Sequence, residues 1–173
     1  MTGHLLVIGA QRCGTSYLHR VLDEHPQVEM ARPARPEPKF FSDPERYARG
    51  LTWYVRTFFG PGDGVRLRGD KSTSYLESPA AAQRAAAVLG DAHVVAMLRD
   101  PLARAVSNWR FSTANKLEDR PLEQALADNL EAPRAWDAAA TSVSPYAYLE
   151  RGHYIDYLRP WARFGERLHV LFL

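Results

Sequence analysis

Near its amino terminus the chain runs Leu5-Leu6-Val7-Ile8-Gly9-Ala10-Gln11-Arg12-Cys13-Gly14-Thr15-Ser16. Four consecutive apolar residues ending in glycine have the pattern of a strand buried on both faces, as in a parallel sheet. From Thr15 to Glu24 the spacing changes to that of a helix, with Leu18, Val21 and Leu22 on one side, and His25-Pro26 ends it. A glycine-containing loop between strand and helix suits an anion. The backbone can wrap the ligand, amide N–H groups point inward, and the helix N-terminus adds positive potential. Gln11, Arg12, Cys13, Gly14, Thr15 and Ser16 are therefore candidate binding residues, Arg12 by its charge and Thr15 and Ser16 by their hydroxyls. A plain strand-to-helix turn would use the same glycines for geometry alone.

The loop departs from the Walker pattern, which places lysine directly after the second glycine to reach the β- and γ-phosphates. Here Thr15 holds that place and the cation, Arg12, comes two residues before Gly14. The departure argues against an ATPase or GTPase. It fits a donor that lays one phosphate in the loop while a different group is transferred.

Outward from this junction, strands and helices alternate. Val28 to Met30 reads as a short strand, and 31 to 43 as a loop rich in proline and charge. Pro44 to Phe59 reads as one helix closed by Gly60-Pro61-Gly62, and Val65 to Gly69 as a short basic strand. Ser78-Pro79 is an N-cap and first-turn pair for a helix to Leu89. His93 to Leu98 is a second buried strand, and Asp100-Pro101 starts a helix carrying Val106 and Trp109. Helices are expected at about 121–130 and 145–164, and a strand at Leu168 to Leu173. The pattern predicts an α/β protein with a three-layer, P-loop-like fold: a central parallel sheet flanked by helices. The length suits a single domain spanning 1–173.

Composition is ordinary for a soluble globular protein, with 46% hydrophobic and 24% charged residues. The net charge of +2 is too small to imply a nucleic-acid partner. Cys13 is the one cysteine, which excludes an intrachain disulfide and suits a reducing compartment. Met1-Thr2-Gly3-His4 has no basic leader, and the run Leu5 to Ala10 is too short for a signal peptide or membrane span. A cytoplasmic protein with no membrane partner is expected. Lysines are few (Lys39, Lys71, Lys116) among many arginines, which suggests a GC-rich bacterial coding sequence. No His/Cys/carboxylate cluster has metal-ligand spacing, so no metal is expected. The pattern sets no oligomeric state.

A second anion site is suggested by Leu98-Arg99-Asp100-Pro101, which follows the strand at 93 to 98. Arg99 stands at the carboxyl end of that strand, where open α/β sheets bind ligands. Ser107 is eight residues on, two turns into the next helix. Together they can hold a phosphate, the arginine by charge-assisted bonds and the serine by its hydroxyl. Equally, Arg99 can pair with Asp100 and Ser107 can merely pack.

The two sites together resemble the PAPS-dependent sulfotransferases, which use 3′-phosphoadenosine 5′-phosphosulfate (PAPS) as sulfuryl donor and release PAP. The resemblance lies in a (K/R)-x-G-T-(S/T) loop and a later R-D-P-x-x-R-A-x-S segment, and it covers nearly the whole chain. Gly69-Asp70-Lys71-Ser72 and Arg151-Gly152-His153-Tyr154 resemble segments of the heparan-sulfate and carbohydrate branch. It implies that Arg12, Gly14, Thr15 and Ser16 hold the 5′-phosphosulfate, and that Arg99 and Ser107 hold the 3′-phosphate. It also implies continuation past the last strand into a glycine-containing basic loop over the nucleotide. The chain would then be the N-terminal donor-binding portion of a sulfotransferase domain.

Pro36-Glu37-Pro38-Lys39-Phe40-Phe41 is similar to the K-E-P-x-F-F stretch of the carbohydrate sulfotransferases. By that resemblance Glu37 is the general base that takes the proton of an acceptor hydroxyl. Pro36 replaces the family's lysine. Read alone, Glu37 is as well a solvated loop residue. Sulfuryl transfer needs charge neutralised at the leaving oxygen, for which Arg12 is the first candidate and Lys71 the second. Lys71 can also be a plain surface lysine. Cys13 reads as loop packing, His153 as part of a turn at Gly152, and Trp53, Trp109 and Trp161 as helix packing. The expected function is transfer of a sulfuryl group to a carbohydrate or small-molecule alcohol. The rivals are a P-loop nucleotide kinase and a non-catalytic PAP-binding remnant.

Overall fold

The apolar run at 5–8 forms the centre of strand β1 (Gly3–Gly9), where Leu6, Val7 and Ile8 are fully excluded from solvent. The computed structural model describes residues 2–62, 64–137, 141 and 143–173. After β1 come α1 (Thr15–Asp23), β2 (Val28–Met30), α2 (Pro44–Ala48), α3 (Gly50–Phe58), β3 (Leu67–Lys71), α4 (Pro79–Val88) and β4 (His93–Leu98). These are followed by α5 (Pro101–Ala114), α6 (Leu122–Glu131), a short 3-10 turn (Glu150–Gly152), α7 (Tyr154–Leu158), a 3-10 segment (Arg159–Arg167) and β5 (Leu168–Phe172). Residues up to Leu98 together with Asp156–Leu173 form one compact unit, and Arg99–Ile155 form a second.

Among the described residues, the first unit holds a sheet of five strands, in the order β2-β3-β1-β4-β5 and parallel throughout. Parallel strands are connected by helical crossovers that cover the sheet, which explains the unbroken apolar runs in β1 and β4. The register sets Leu6 beside Asp70 and Val7 beside both Lys71 and Val95. The carboxyl ends of β1 and β3 therefore finish side by side, and the loops at 10–14 and 72–78 leave from there. Next to them lies an aromatic cluster. Phe40, Phe41, Tyr54 and Tyr75 are all fully buried, and Phe40 stacks on Tyr54 at 4.5 Å. Helix α4 packs its small face, Ala81, Ala82 and Ala85, inward. Trp161 and Phe164 of the 3-10 segment are buried and stacked on each other.

The second unit centres on Arg104, which is fully buried on α5. It donates to the Tyr148 and Ala147 carbonyls and to Asn108 Oδ1. Ala105, Ala125 and Tyr148 form the apolar centre. Glu118 accepts from Arg120, Arg134 and the Tyr148 hydroxyl. Burial opposes its ionisation, but these donors overcome it and bring the carboxyl down to about 2.

Three sequence expectations are corrected. Pro44 to Phe59 is two helices, because Gly50 takes a left-handed φ of 81° that breaks the run after Arg49. The third strand is Leu67–Lys71 rather than Val65 to Gly69, since pairing with β1 extends it through the polar Asp70 and Lys71. The helical region expected over 145–164 is three short pieces, the last with Pro160 in its first turn and a non-helical Gly165 (φ 55°) inside it. Ser78 and Asp100 act as the expected N-caps, accepting from Ala81 N and Ala103 N. Among the described residues no helix is long and apolar enough to cross a membrane.

Candidate active site

The loop after β1 is a tight turn with two left-handed residues, Arg12 (φ 68°) and Gly14 (φ 80°). Gly14 caps α1 through its carbonyl, which accepts from Tyr17 N and Leu18 N. Cys13 is fully buried and faces the loop's own interior, its thiol 3.6 Å from the Gln11 carbonyl. Among the described residues, no protein acceptor takes the N–H groups of Gly14, Thr15 or Ser16, or their hydroxyl protons. Left-handed residues alternating with ordinary ones turn successive amides toward one point, and the helix end adds its partial charge. Donors without acceptors at that point are what a phosphate or sulfate oxygen requires. Arg12 is exposed on the same turn, Gln11 is half-buried and Thr15 is buried.

At the end of β3, 34 residues from it in sequence, Glu37 is held from three directions. Lys71 Nζ donates to Oε1 at 2.7 Å, Thr73 N donates to Oε2 at 3.0 Å, and the Thr73 hydroxyl lies 3.2 Å from both oxygens. The side chains of Glu37 and Lys71 are 16% and 7% exposed, so neither is the solvated surface group that the sequence left open. The loop bearing Glu37 is pinned along its length. Ala31 N bonds to Gly69 O, Lys39 N to Ser72 Oγ, Phe41 N to Tyr75 OH, and Arg84 to Phe41 O. Phe40 and Phe41 are fully buried and anchor the loop in the core.

Under this loop lies Asp70, fully buried and accepting from Ser72, Tyr75 and Tyr54. Burial raises its carboxyl to about 6, with the three hydroxyls pulling the other way and Glu37 adding to the rise. His19 stands one helical turn after Thr15 on α1, and Asp23 one turn further, bonded to Arg32 at 2.7 Å. Burial and the charge of Lys71 lower the basicity of His19, with Asp23 and Glu37 opposing.

In the second unit, Arg99, Ser107 and Arg110 line one cleft of about 390 Å³ together with Leu102, Ala103 and Val106. Asp100 is committed to the Ala103 amide at 2.7 Å, so it does not neutralise Arg99. The Arg99 carbonyl is held by the Tyr154 hydroxyl at 2.9 Å. Among the described residues neither the Arg99 nor the Arg110 guanidinium has an ion pair or hydrogen bond. Two unpaired cations and a hydroxyl on one wall suit a doubly charged anion such as a phosphate monoester.

Sequence reading missed Thr73, Asp70, His19 and Arg110. Arg110 was within reach, since it lies one helical turn beyond Ser107. Thr73 carries no motif of its own and matters through its contact with Glu37, 36 residues earlier; Asp70 stood only within the Gly69-Asp70-Lys71-Ser72 likeness, and its burial beneath Tyr54 and Tyr75 was not legible there. His153 is exposed and its amide closes the turn on Glu150, as expected. The tryptophans also pack: Arg49 stacks on Trp53, Trp109 donates to the Arg120 carbonyl, and Trp161 is buried. Among the described residues no three His, Cys, Asp or Glu side chains are grouped to hold a metal ion.

A family model described as Sulfotransferase domain matches residues 2–173. Heparan sulfate glucosamine 3-O-sulfotransferase 3B1 of Mus musculus is 28% identical over 172 residues, covering 97% of this chain and 40% of that protein. Membrane-associated sulfotransferase kil1 of Dictyostelium discoideum is 32% identical over 111 residues, covering 63% of this chain and 23% of that protein. The chain thus spans well under half the length of these relatives. Among solved structures, a sulfotransferase from Alicyclobacillus acidocaldarius superposes with a TM-score of 0.80 at 27% identity, over 99% of this chain and 73% of that one.

Proposed function

Since the chain belongs to the sulfotransferase domain family, we propose that it transfers the sulfuryl group of PAPS to a hydroxyl of a carbohydrate acceptor, with Glu37 as general base. The acceptor class rests on the Glu37 segment and on relatives whose names specify heparan sulfate. A small alcohol remains within the same chemistry. The loop at 11–16 takes the 5′-phosphosulfate on the N–H groups and hydroxyls of Gly14, Thr15 and Ser16, with Arg12 as the cation. The α5 cleft takes the 3′-phosphate on Arg99 and Ser107.

The observation that carries the reading is the hold on Glu37. A carboxylate fixed by Lys71 and Thr73 on a pinned loop cannot wander, and a base must be within hydrogen-bond reach of the proton it takes. In the reaction, the acceptor oxygen attacks sulfur and its proton passes to a Glu37 oxygen. The bond from sulfur to the 5′-phosphate oxygen breaks, leaving PAP and a sulfate ester. The negative charge gathering on the departing oxygen is met by Arg12 and the loop amides. Lys71 orients Glu37 before attack and is a cation for the same charge once Glu37 is protonated.

The test is sulfuryl transfer from PAPS to heparan sulfate, followed with labelled donor, beside calorimetry with PAP and with ATP–Mg²⁺. PAP should bind and ATP–Mg²⁺ should not compete. Preferential ATP binding would favour a kinase, and PAP binding without turnover on any hydroxyl acceptor would leave a binding module.

A further inference from the structure

Asp70 is a fully buried carboxylate with no cation bonded to it, a burial that is unfavourable unless its hydrogen bonds are well placed. Its partners are three hydroxyls: Ser72 at 2.8 Å, Tyr75 at 2.8 Å and Tyr54 at 3.0 Å. Each also grips one residue of the loop that follows Glu37. The Ser72 oxygen accepts from Lys39 N at 2.9 Å, the Tyr54 ring stacks on Phe40 at 4.5 Å, and the Tyr75 oxygen accepts from Phe41 N at 3.3 Å. A hydroxyl has one proton. When that proton is committed to a carboxylate, the oxygen can face a backbone N–H only as an acceptor. The carboxylate therefore sets the direction of the whole array. The array also secures Lys39 in a left-handed conformation (φ 50°) that a non-glycine residue holds only when its surroundings enforce it.

We propose that Asp70 is a positioning residue for sulfuryl transfer: through Ser72, Tyr54 and Tyr75 it clamps Lys39–Phe41 and so fixes where Glu37 meets Lys71 and Thr73. The inference rests on reading Glu37 as the base. An asparagine at 70 presents one oxygen and two donor hydrogens, so at least one hydroxyl must turn to accept from it, and that oxygen then serves the loop in a changed geometry.

The experiment compares Asp70→Asn, Ser72→Ala, Tyr75→Phe and Glu37→Gln by amide hydrogen exchange and by transfer from PAPS to heparan sulfate. In Asp70→Asn, exchange at the Lys39 and Phe41 amides should accelerate by on the order of tenfold, the equivalent of one hydrogen bond, while amides in β1 and β4 keep their protection. Ser72→Ala should release Lys39 alone and Tyr75→Phe should release Phe41 alone, a selectivity that general destabilisation does not produce. These two variants carry the test if Asp70→Asn does not fold. Turnover in Asp70→Asn should fall by about tenfold to a hundredfold with PAP affinity unchanged. Unchanged protection at 39 and 41 overturns the proposal, and so does lost protection with an unaltered transfer rate. A Glu37→Gln variant with full transfer sinks the base reading instead, and the exchange data then decide the clamp by themselves.

Discussion

Lys71 Nζ donates to Glu37 Oε1 at 2.7 Å, joining the end of an inner strand to a proline-rich loop 34 residues earlier. Both side chains are largely withdrawn from solvent, so the pair is neither a surface ion pair nor a lone buried charge. Thr73 completes the hold from the same strand end, on the backbone side and the hydroxyl side at once.

Glu37→Gln keeps the size of the side chain and still accepts from Lys71, but it cannot take a proton. Loss of a general base lowers turnover by about 10²–10⁴-fold, while PAP affinity should stay within about twofold of wild type, because Glu37 is not among the proposed donor ligands. Steady-state transfer rates and PAP calorimetry check both halves. Near-normal turnover would place the base elsewhere.

Lys71→Ala leaves Glu37 without its counter-charge in a mostly buried setting. Thr73 still donates, so the expected loss of stability is about 1–3 kcal/mol, read as a lower urea midpoint with an unchanged slope. Turnover should fall as well. A variant as stable as wild type would show that Glu37 relaxes into solvent when Lys71 is absent.

Arg99→Ala should weaken PAP binding by about 1.5–3 kcal/mol, the value of a charge-assisted contact, and Arg110→Ala by less because Arg110 is exposed. Neither should change the affinity for AMP, which lacks the 3′-phosphate. Titration of both nucleotides into both variants distinguishes a 3′-phosphate site from a general loss of binding. Equal losses for PAP and AMP would remove the α5 cleft from this role.

Gly14→Ala puts a Cβ on a left-handed residue (φ 80°) and within 3.3 Å of Leu173. The strain is about 1–2 kcal/mol for an alanine held in that conformation. Relaxation would swing the Thr15 and Ser16 amides away from their common point. Both the thermal midpoint and PAP affinity should drop. Unchanged PAP binding would mean that the loop amides do not carry the anion.

The Asp70 carboxyl titrates at about 6 in the folded chain against an ordinary value of 3.8. Burial is the main cause, so the folded state binds this proton more tightly than the unfolded state. Its contribution favours folding fully below about pH 4 and fades as pH rises to about 6, a change of about 3 kcal/mol. Urea unfolding of wild type and Asp70→Asn between pH 4 and 7 should differ in slope in that window, with the wild type losing more stability as pH rises. Glu118 acts in the opposite sense at lower pH. Its depressed value of about 2 gives stability that is present above pH 4.5 and lost as pH falls toward 2.

What the amino-acid order determined by itself was local. Leu5 to Ile8 and Val94 to Leu98 are apolar without a break, as suits a strand covered on both faces. Gly14 stands where a strand turns into a helix, and Ser78 and Asp100 carry the oxygen that a first-turn amide needs. Each of these signals lies within about ten residues, so it survives in the one-dimensional pattern. Glu37 was also visible, but only as a likeness. That Lys71 and Thr73 hold it was not visible. The tertiary structure alone decided that Lys71 is an ion-pair partner and not a surface lysine, that Asp70 lies dry beneath the Glu37 loop, and that Arg110 shares a cleft with Arg99. It also divided Pro44 to Phe59 at Gly50, where helical spacing on both sides concealed a left-handed residue. For Lys71 the reason is distance, since its partner comes from 34 residues away and neither its residue type nor its neighbours in sequence specify it. For Asp70 and Arg110 it is burial and a shared cleft, which only the packed fold assigns.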